Sequence, residues 1–204
     1  MASNKHGRLG LVIGCWLLFS SAAAWAAAIG APERTGRLGL GLSYSSFDVH
    51  DPDGSVANES DFSLINFFYT DRFVRGYRYW VEGFYQEATF DGSTKDIGQD
   101  MERMGLRLAI QHRLDFVTAW DMWGGIGLTA AHDSFTKRFT VDSDGFLGTA
   151  YEDRSANHLG MQFDLTSEWR VGQDWDLAVR LLYGFPFGDG VGELGAMVGV
   201  LHGF

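Results

Sequence analysis

Apolar and polar residues alternate along most of this chain. Leu159, Met161, Phe163, Leu165 and Trp169 share one parity, while Gly160, Gln162, Asp164, Thr166 and Glu168 share the other. The next stretch repeats the pattern, with Trp175, Leu177, Val179, Leu181, Tyr183 and Phe185 set against Asp176, Ala178, Arg180 and Gly184. Upstream, Met104, Leu106, Leu108 and Ile110 alternate with Arg103, Gly105, Arg107, Ala109 and Gln111. A period of two marks strands, because successive side chains leave opposite faces of the pleat. Eight strands are expected, at 36–47, 62–72, 76–89, 100–113, 117–133, 156–170, 175–185 and 193–204. The second is the least regular, since Leu64, Ile65, Phe67 and Phe68 put apolar residues on both faces. Pro32, Pro52 and Pro186 all fall outside the segments, as residues unable to donate to a ladder should.

The connections come in two lengths. Those at Phe73–Arg75, Leu114–Phe116 and Val171–Asp174 are short, whereas Asp48–Asp61 and Phe90–Gln99 are longer and polar. Asp133–Ser155 is the longest; Ser143-Asp144-Gly145 reads as a hairpin tip, so the fifth and sixth strands should continue outward as a ribbon. Aromatics sort to the two rims. Tyr77, Tyr79, Trp120, Trp169, Trp175 and Phe204 lie toward the short turns, and Tyr44, Phe47, Tyr85, Tyr183 and Phe185 toward the long loops. Two aromatic belts and two loop lengths fit a transmembrane barrel better than a soluble one, which alternates equally well with its apolar face turned inward.

The first 28 residues read as a cleavable signal peptide: Lys5 and Arg8, then an apolar run to Ala28, with cleavage after Ala26 or Ala28. Residues 29–204 then form one barrel domain. Without Lys5, Arg8 and Cys15 the remaining chain carries 14 basic and 26 acidic residues and no cysteine. Disulfide and thiol chemistry are thereby excluded, and nucleic acid is a poor partner for so acidic a chain. No segment beyond the signal has the roughly 18 continuous apolar residues of a membrane helix. A membrane span therefore requires a closed sheet.

The last strand places Leu194, Ala196, Val198, Val200, His202 and Phe204 on one parity. Its terminal aromatic is similar to the signal by which barrel-assembly machinery engages its clients. With the rims, turns and parity together, the stretch 36–204 resembles the small eight-stranded outer-membrane barrels, the class of OmpX and the OmpA membrane domain. That resemblance implies an all-β, antiparallel up-and-down barrel in the bacterial outer membrane, with lipid and lipopolysaccharide around it. It carries no motif that separates one subfamily from another.

On that reading Glu82, Gln86, Arg103, Arg107, Gln111, Asp121, Gln162, Asp164, Glu168, Arg180 and Glu193 share the lumen. Both signs of charge are present, and eight strands leave an interior that side chains can fill, so a polar core is expected ahead of a channel or an ion relay. Interspersed glycines on the inward parity make room for large neighbours.

One constellation could carry chemistry. His132 and Ser134 share the outward parity beside the outer leaflet, with Glu152 and Asp153 as candidate orienting acids. The pair resembles the His-x-Ser dyad of the lipid A deacylases. It departs from that family in lying far from the penultimate strand and in having Phe135 after the serine. An interfacial histidine beside a loop serine is the expected reading. His158 has the opposite parity to His132, so the two should not share a metal. Asp51-Pro52-Asp53-Gly54-Ser55 begins like a calcium loop, but its twelfth position is Phe62 rather than an acid. No metal or cofactor is therefore expected. The loop acids, among them Asp48, Asp51, Asp53, Asp91, Asp96, Asp142 and Asp144, suit a solvated surface, or contact with lipopolysaccharide through divalent ions.

Overall fold

The computed structural model describes residues 36–114 and 121–204. The expected signal peptide, Trp120, most of the turn at 114–116 and the start of the fifth strand lie outside the described residues. Among the described residues there are nine strands: β1 (Arg37–Val49), β2 (Glu59–Val74), β3 (Tyr77–Phe90), β4 (Gly98–Arg113), β5 (Asp121–Val141), β6 (Leu147–Ala150), β7 (Arg154–Arg170), β8 (Trp175–Pro186) and β9 (Val191–Gly203). Eight of them close a ring in the order β1-β2-β3-β4-β5-β7-β8-β9, antiparallel throughout, with β9 returning to β1. The ninth, β6, pairs only with the outer part of β5. The protein is thus an eight-stranded antiparallel barrel with a projecting ribbon.

Several strands outrun the sequence expectation. β5 continues from the expected end at 133 to Val141, held by β4 as far as Phe139 and by β7 as far as Phe135. The ribbon turns over at Asp142–Phe146, where the Asp142 carboxylate accepts the amides of Asp144 and Phe146. Gly145 takes φ 82° there, a conformation costly to any residue with a Cβ. Pro186 is the last residue of β8 rather than outside it, a strand-end position where a missing N–H is tolerated.

The parity decides which medium the wall faces. Leu38, Leu40 and Leu42 on β1, Leu108 and Ile110 on β4, Ile126 and Leu128 on β5, and Leu194, Val198 and Val200 on β9 are exposed. Arg78, Glu82, Arg103, Arg107, Arg180 and Glu193 are buried. A soluble barrel would be the reverse. So large a continuous apolar exterior is stable only against lipid.

The irregular β2 resolves on the same rule. Ile65 and Phe67 face outward, while Phe68 turns into the lumen and stacks on Trp80 at 4.5 Å and 17°. Gly39 and Gly199 make that possible: a Cβ on Gly39 would lie 2.2 Å from the Phe68 ring and 2.7 Å from the Val200 carbonyl. Two sequence placements are corrected. Phe47 belongs to the interior, fully buried on the parity of Ser45, because height along the barrel does not fix the face. Asp121 has the inward parity of Trp123, yet as the first residue of β5 it sits at the rim, 43% exposed, and pairs with Arg113 at 2.8 Å.

Gly39→Ala should destabilise the barrel by about 1–3 kcal/mol, the usual cost of overpacking. Gly83→Ala, whose Cβ would meet Leu106 only at 3.9 Å, should be near neutral. The urea midpoint for loss of the fast-migrating band in unheated gels measures both; equal midpoints would remove the Gly39–Phe68 constraint.

Candidate functional site: lumen, loop cap and outer rim

The lumen is filled by linked ion pairs. Arg107 reaches Glu82 and Glu193, each at 2.6 Å, and Arg180 pairs with Glu82 and, at 3.1 Å, with Asp164. Nearer the short turns, Arg78 meets Glu168 at 2.5 Å and Arg37 meets Glu168 and Asp176 at 2.8 and 3.0 Å. Nearer the loops, Asp133 lies between Arg103 at 3.4 Å and His158 at 3.2 Å. Aromatic rings complete the packing: Arg107 lies 3.9 Å over Phe84 and Arg78 4.1 Å over Trp123. Buried pairs of this kind gain little over a well-packed apolar core, but losing one partner is expensive. The interior voids lined by Arg107 and Glu193 are about 10 Å³ each, the size of one water.

Above this polar column sits an apolar plug of Phe47, Val49, Ala88, Phe90, Met101, Phe135 and Val191, with Val56 of the first loop packed on it. The loops close over the plug. Arg138 is the latch: its guanidinium reaches Asp51 at 2.8 Å and Asp53 at 2.6 Å, bonds to Gln99 and donates to the Glu152 carbonyl. Arg154 adds Asp51 at 3.3 Å and lies 4.5 Å over Phe135. The first two loops are stitched by Ile97 N to Ser55 O at 2.8 Å and Ser55 Oγ to Asp96 at 2.9 Å. His50 N to Gly190 O at 3.2 Å joins the last loop. The calcium-like start Asp51–Ser55 therefore spends its carboxylates on arginine. Beside the latch, the Lys137 ammonium hydrogen-bonds Asp100 at 2.6 Å and holds that carboxyl below its ordinary range. This contribution is present above the ordinary carboxylate range and fades as pH falls through the lowered value.

The proposed catalytic group is dispersed. His132 and Ser134 share the outward face, but His132 Nδ1 is 2.8 Å from Asn157 Oδ1, its cross-strand neighbour. Asp153 accepts the Lys137 amide at 3.2 Å, and Glu152 offers its carbonyl to Arg138. Among the described residues no hydrogen bond links His132 to Ser134, Glu152 or Asp153. His158 faces inward to Asp133, away from His132.

The outer rim carries a groove the sequence reading missed. Residues at the loop-side ends of β1, β8 and β9 enclose about 540 Å³. Its wall is the cross-strand row Tyr183–Leu194–Ser46, and beyond it the paired Gly192 and Asp48 on one side and Phe185, past the end of the β8–β9 ladder, on the other. Only the parity of these residues was legible in advance, not the gap that Gly192 leaves.

The comparisons agree with this architecture. No family model and no curated protein matches the chain. Among solved structures it is similar to Neisserial surface protein A (NspA), with TM-score 0.58 and 12% identity over 85% of this chain and 100% of that one. It is also similar to Ail, the attachment invasion locus protein of Yersinia pestis, in complex with the heparin analogue sucrose octasulfate, with TM-score 0.53 and 16% identity over 85% and 100% of the two chains. The class that the fold and the inverted surface define is the small eight-stranded outer-membrane β-barrel. At these identities the likeness carries the fold alone.

Arg138→Met leaves the fully buried Asp51 side chain with Arg154 and the Asp53 amide, a loss on the order of 3–5 kcal/mol for a broken buried pair. Cleavage by added protease within 50–58 should rise at least tenfold while the barrel keeps its unheated gel mobility. Unchanged cleavage would show that Arg138 is not the latch.

Proposed function

We propose that this chain is a non-enzymatic protein of the bacterial outer membrane whose work lies at its outer rim and capped loops, in envelope integrity or contact with surface partners. The observation that carries this reading is the lumen, which the linked ion pairs of Arg107, Arg180, Glu82 and Glu193 fill. A side-chain-filled interior leaves no path for solutes. The plug and latch above it fix the loops to the barrel, so the presented surface is rigid. Its natural neighbours are outer-leaflet lipid and lipopolysaccharide.

The cap differs in chemistry from a surface made for sulfated ligands. Arg138 and Arg154 are occupied by Asp51 and Asp53, and the chain has a formal charge of -10. The heparin analogue in the Ail structure is therefore a poor guide to a partner here. The hydrolase alternative, with His132 and Ser134, has no supporting contact among the described residues: the hydrogen bond His132 makes is to Asn157, not to Ser134.

Planar-bilayer recordings of the refolded protein should be silent; steady single-channel steps would replace this reading with a narrow channel. Lipid A from strains lacking and overproducing the protein should give identical acylation by mass spectrometry. A missing acyl chain that depends on Ser134 would restore the enzyme.

A further inference from the structure

We infer that the rim groove of β1, β8 and β9 binds a single-chain amphiphile with an ammonium head, taken up from the outer leaflet. The inference deepens the reading above, resting on it only in placing the working surface at the outer rim.

The groove has two unlike ends. Its membrane end is made by Tyr183 and Leu194, both exposed on the outward parity. Phe185 continues this wall, 6.1 Å from Tyr183, 6.2 Å from Phe163 and 6.5 Å from Phe187. An alkyl chain lying along these rings would replace lipid contacts with aromatic ones. The loop end is polar, with Asp48, His50 and Asn58. Ligand sites commonly have about 300–1,000 Å³ of mostly apolar wall with a few convergent polar groups, and 540 Å³ falls in that range.

Charge selects the head group. Two carboxylates line the groove. Glu193 is buried and neutralised from inside by Arg107 at 2.6 Å, with Gln86 and Ser45 at 2.7 and 2.8 Å. Asp48 is exposed, and among the described residues no ion pair or hydrogen bond engages its carboxylate. Arg154, which bonds the His50 carbonyl, turns its charge to Asp51. The mouth therefore offers one unneutralised anion beside an apolar slot. An ammonium gains a charge-assisted contact there, while a fatty carboxylate or a phosphate meets repulsion.

Gly192 makes the space. It is paired with Asp48 on β1, and a Cβ added to it would find its nearest atoms, Asp48 Cβ and the Asp48 carbonyl, at 3.6 Å. A side chain here fits the backbone and fills the groove instead of breaking the wall.

The test uses the full barrel, isotopically labelled, in phosphatidylcholine nanodiscs, titrated near neutral pH with protonated dodecylamine and separately with dodecanoate. Dodecylammonium should give saturable amide shifts confined to 46–50 and 183–194, with at least tenfold weaker binding of dodecanoate. Asp48→Asn should cut that preference about tenfold. Gly192→Leu should abolish saturable binding of both probes, and Tyr183→Ala, at an exposed site, should weaken both. Equal affinity for the two heads, shifts that never saturate, or full binding in a folded Gly192→Leu variant would each overturn the inference. Channel steps in bilayers would overturn the sealed-barrel reading and leave this titration untouched, so the two failures are distinguishable.

Discussion

The β1–β9 ladder, from Arg37 opposite Gly203 to Val49 opposite Val191, is the contact on which everything else rests. In hydrocarbon, an unpaired N–H or C=O costs several kcal/mol and has no water to turn to. A sheet is tolerated there only when its first and last strands find each other. Once that ring exists, the pleat allows two surfaces. The outer one has to be apolar, so polar side chains are driven to the inner one. They accumulate in a space only about eight strands around, where each must satisfy another.

The interior is therefore graded along its axis. Arginine–carboxylate pairs occupy the middle, and the apolar plug around Phe47, Phe135 and Met101 covers them toward the loops. That plug explains why a loop salt bridge can be strong here. Exposed ion pairs are worth little, but Asp51 and Arg138 lie over an apolar floor with side chains almost entirely shielded from solvent. Low local polarity raises both their attraction and the penalty for separating them. The loops thus take their shape from the barrel end beneath them, and the chain gains a fixed outer surface from residues that look, in sequence, like ordinary polar turns.

How far the sequence reveals this depends on the range of the contact. Alternation is a local property, so the faces of β4, β7, β8 and β9 are readable residue by residue, as is the inward set from Glu82 to Glu193 apart from Asp121. β2 is not, because the inward turn of Phe68 depends on the absence of side chains at Gly39 and Gly199 on two other strands. Phe47 fails for a related reason: an aromatic near a rim looks like a belt residue until parity is counted from Ser45. The latch was least accessible. Asp51 and Arg138 are 87 residues apart, and nothing near Asp51 announces a guanidinium. His132 and Ser134 show the same limit from the other side, since the Asn157 contact made by the histidine comes from a neighbouring strand that local spacing does not reveal.

The rim groove follows from the same ladder arithmetic. β9 stays paired with β1 up to Val49 opposite Val191, and β8 stays paired with β7 up to Pro186 opposite Gly160. The β8–β9 ladder stops earlier, at Gly184 opposite Glu193. The Phe187 amide bonds the Leu159 carbonyl at 2.8 Å. Because successive residues point their amides to alternate neighbours, Pro186 is then directed at β9, where it has no N–H to give. The wall parts between Phe185 and Gly192 while both flanking strands remain fully laddered. The gap is thus a property of the rigid wall, not of a loop. Its polar mouth is fixed too, since His50 is tied to Gly190. A binding surface built this way needs no ordering when a ligand arrives, which is the condition under which a modest groove can hold an amphiphile against the competing bilayer.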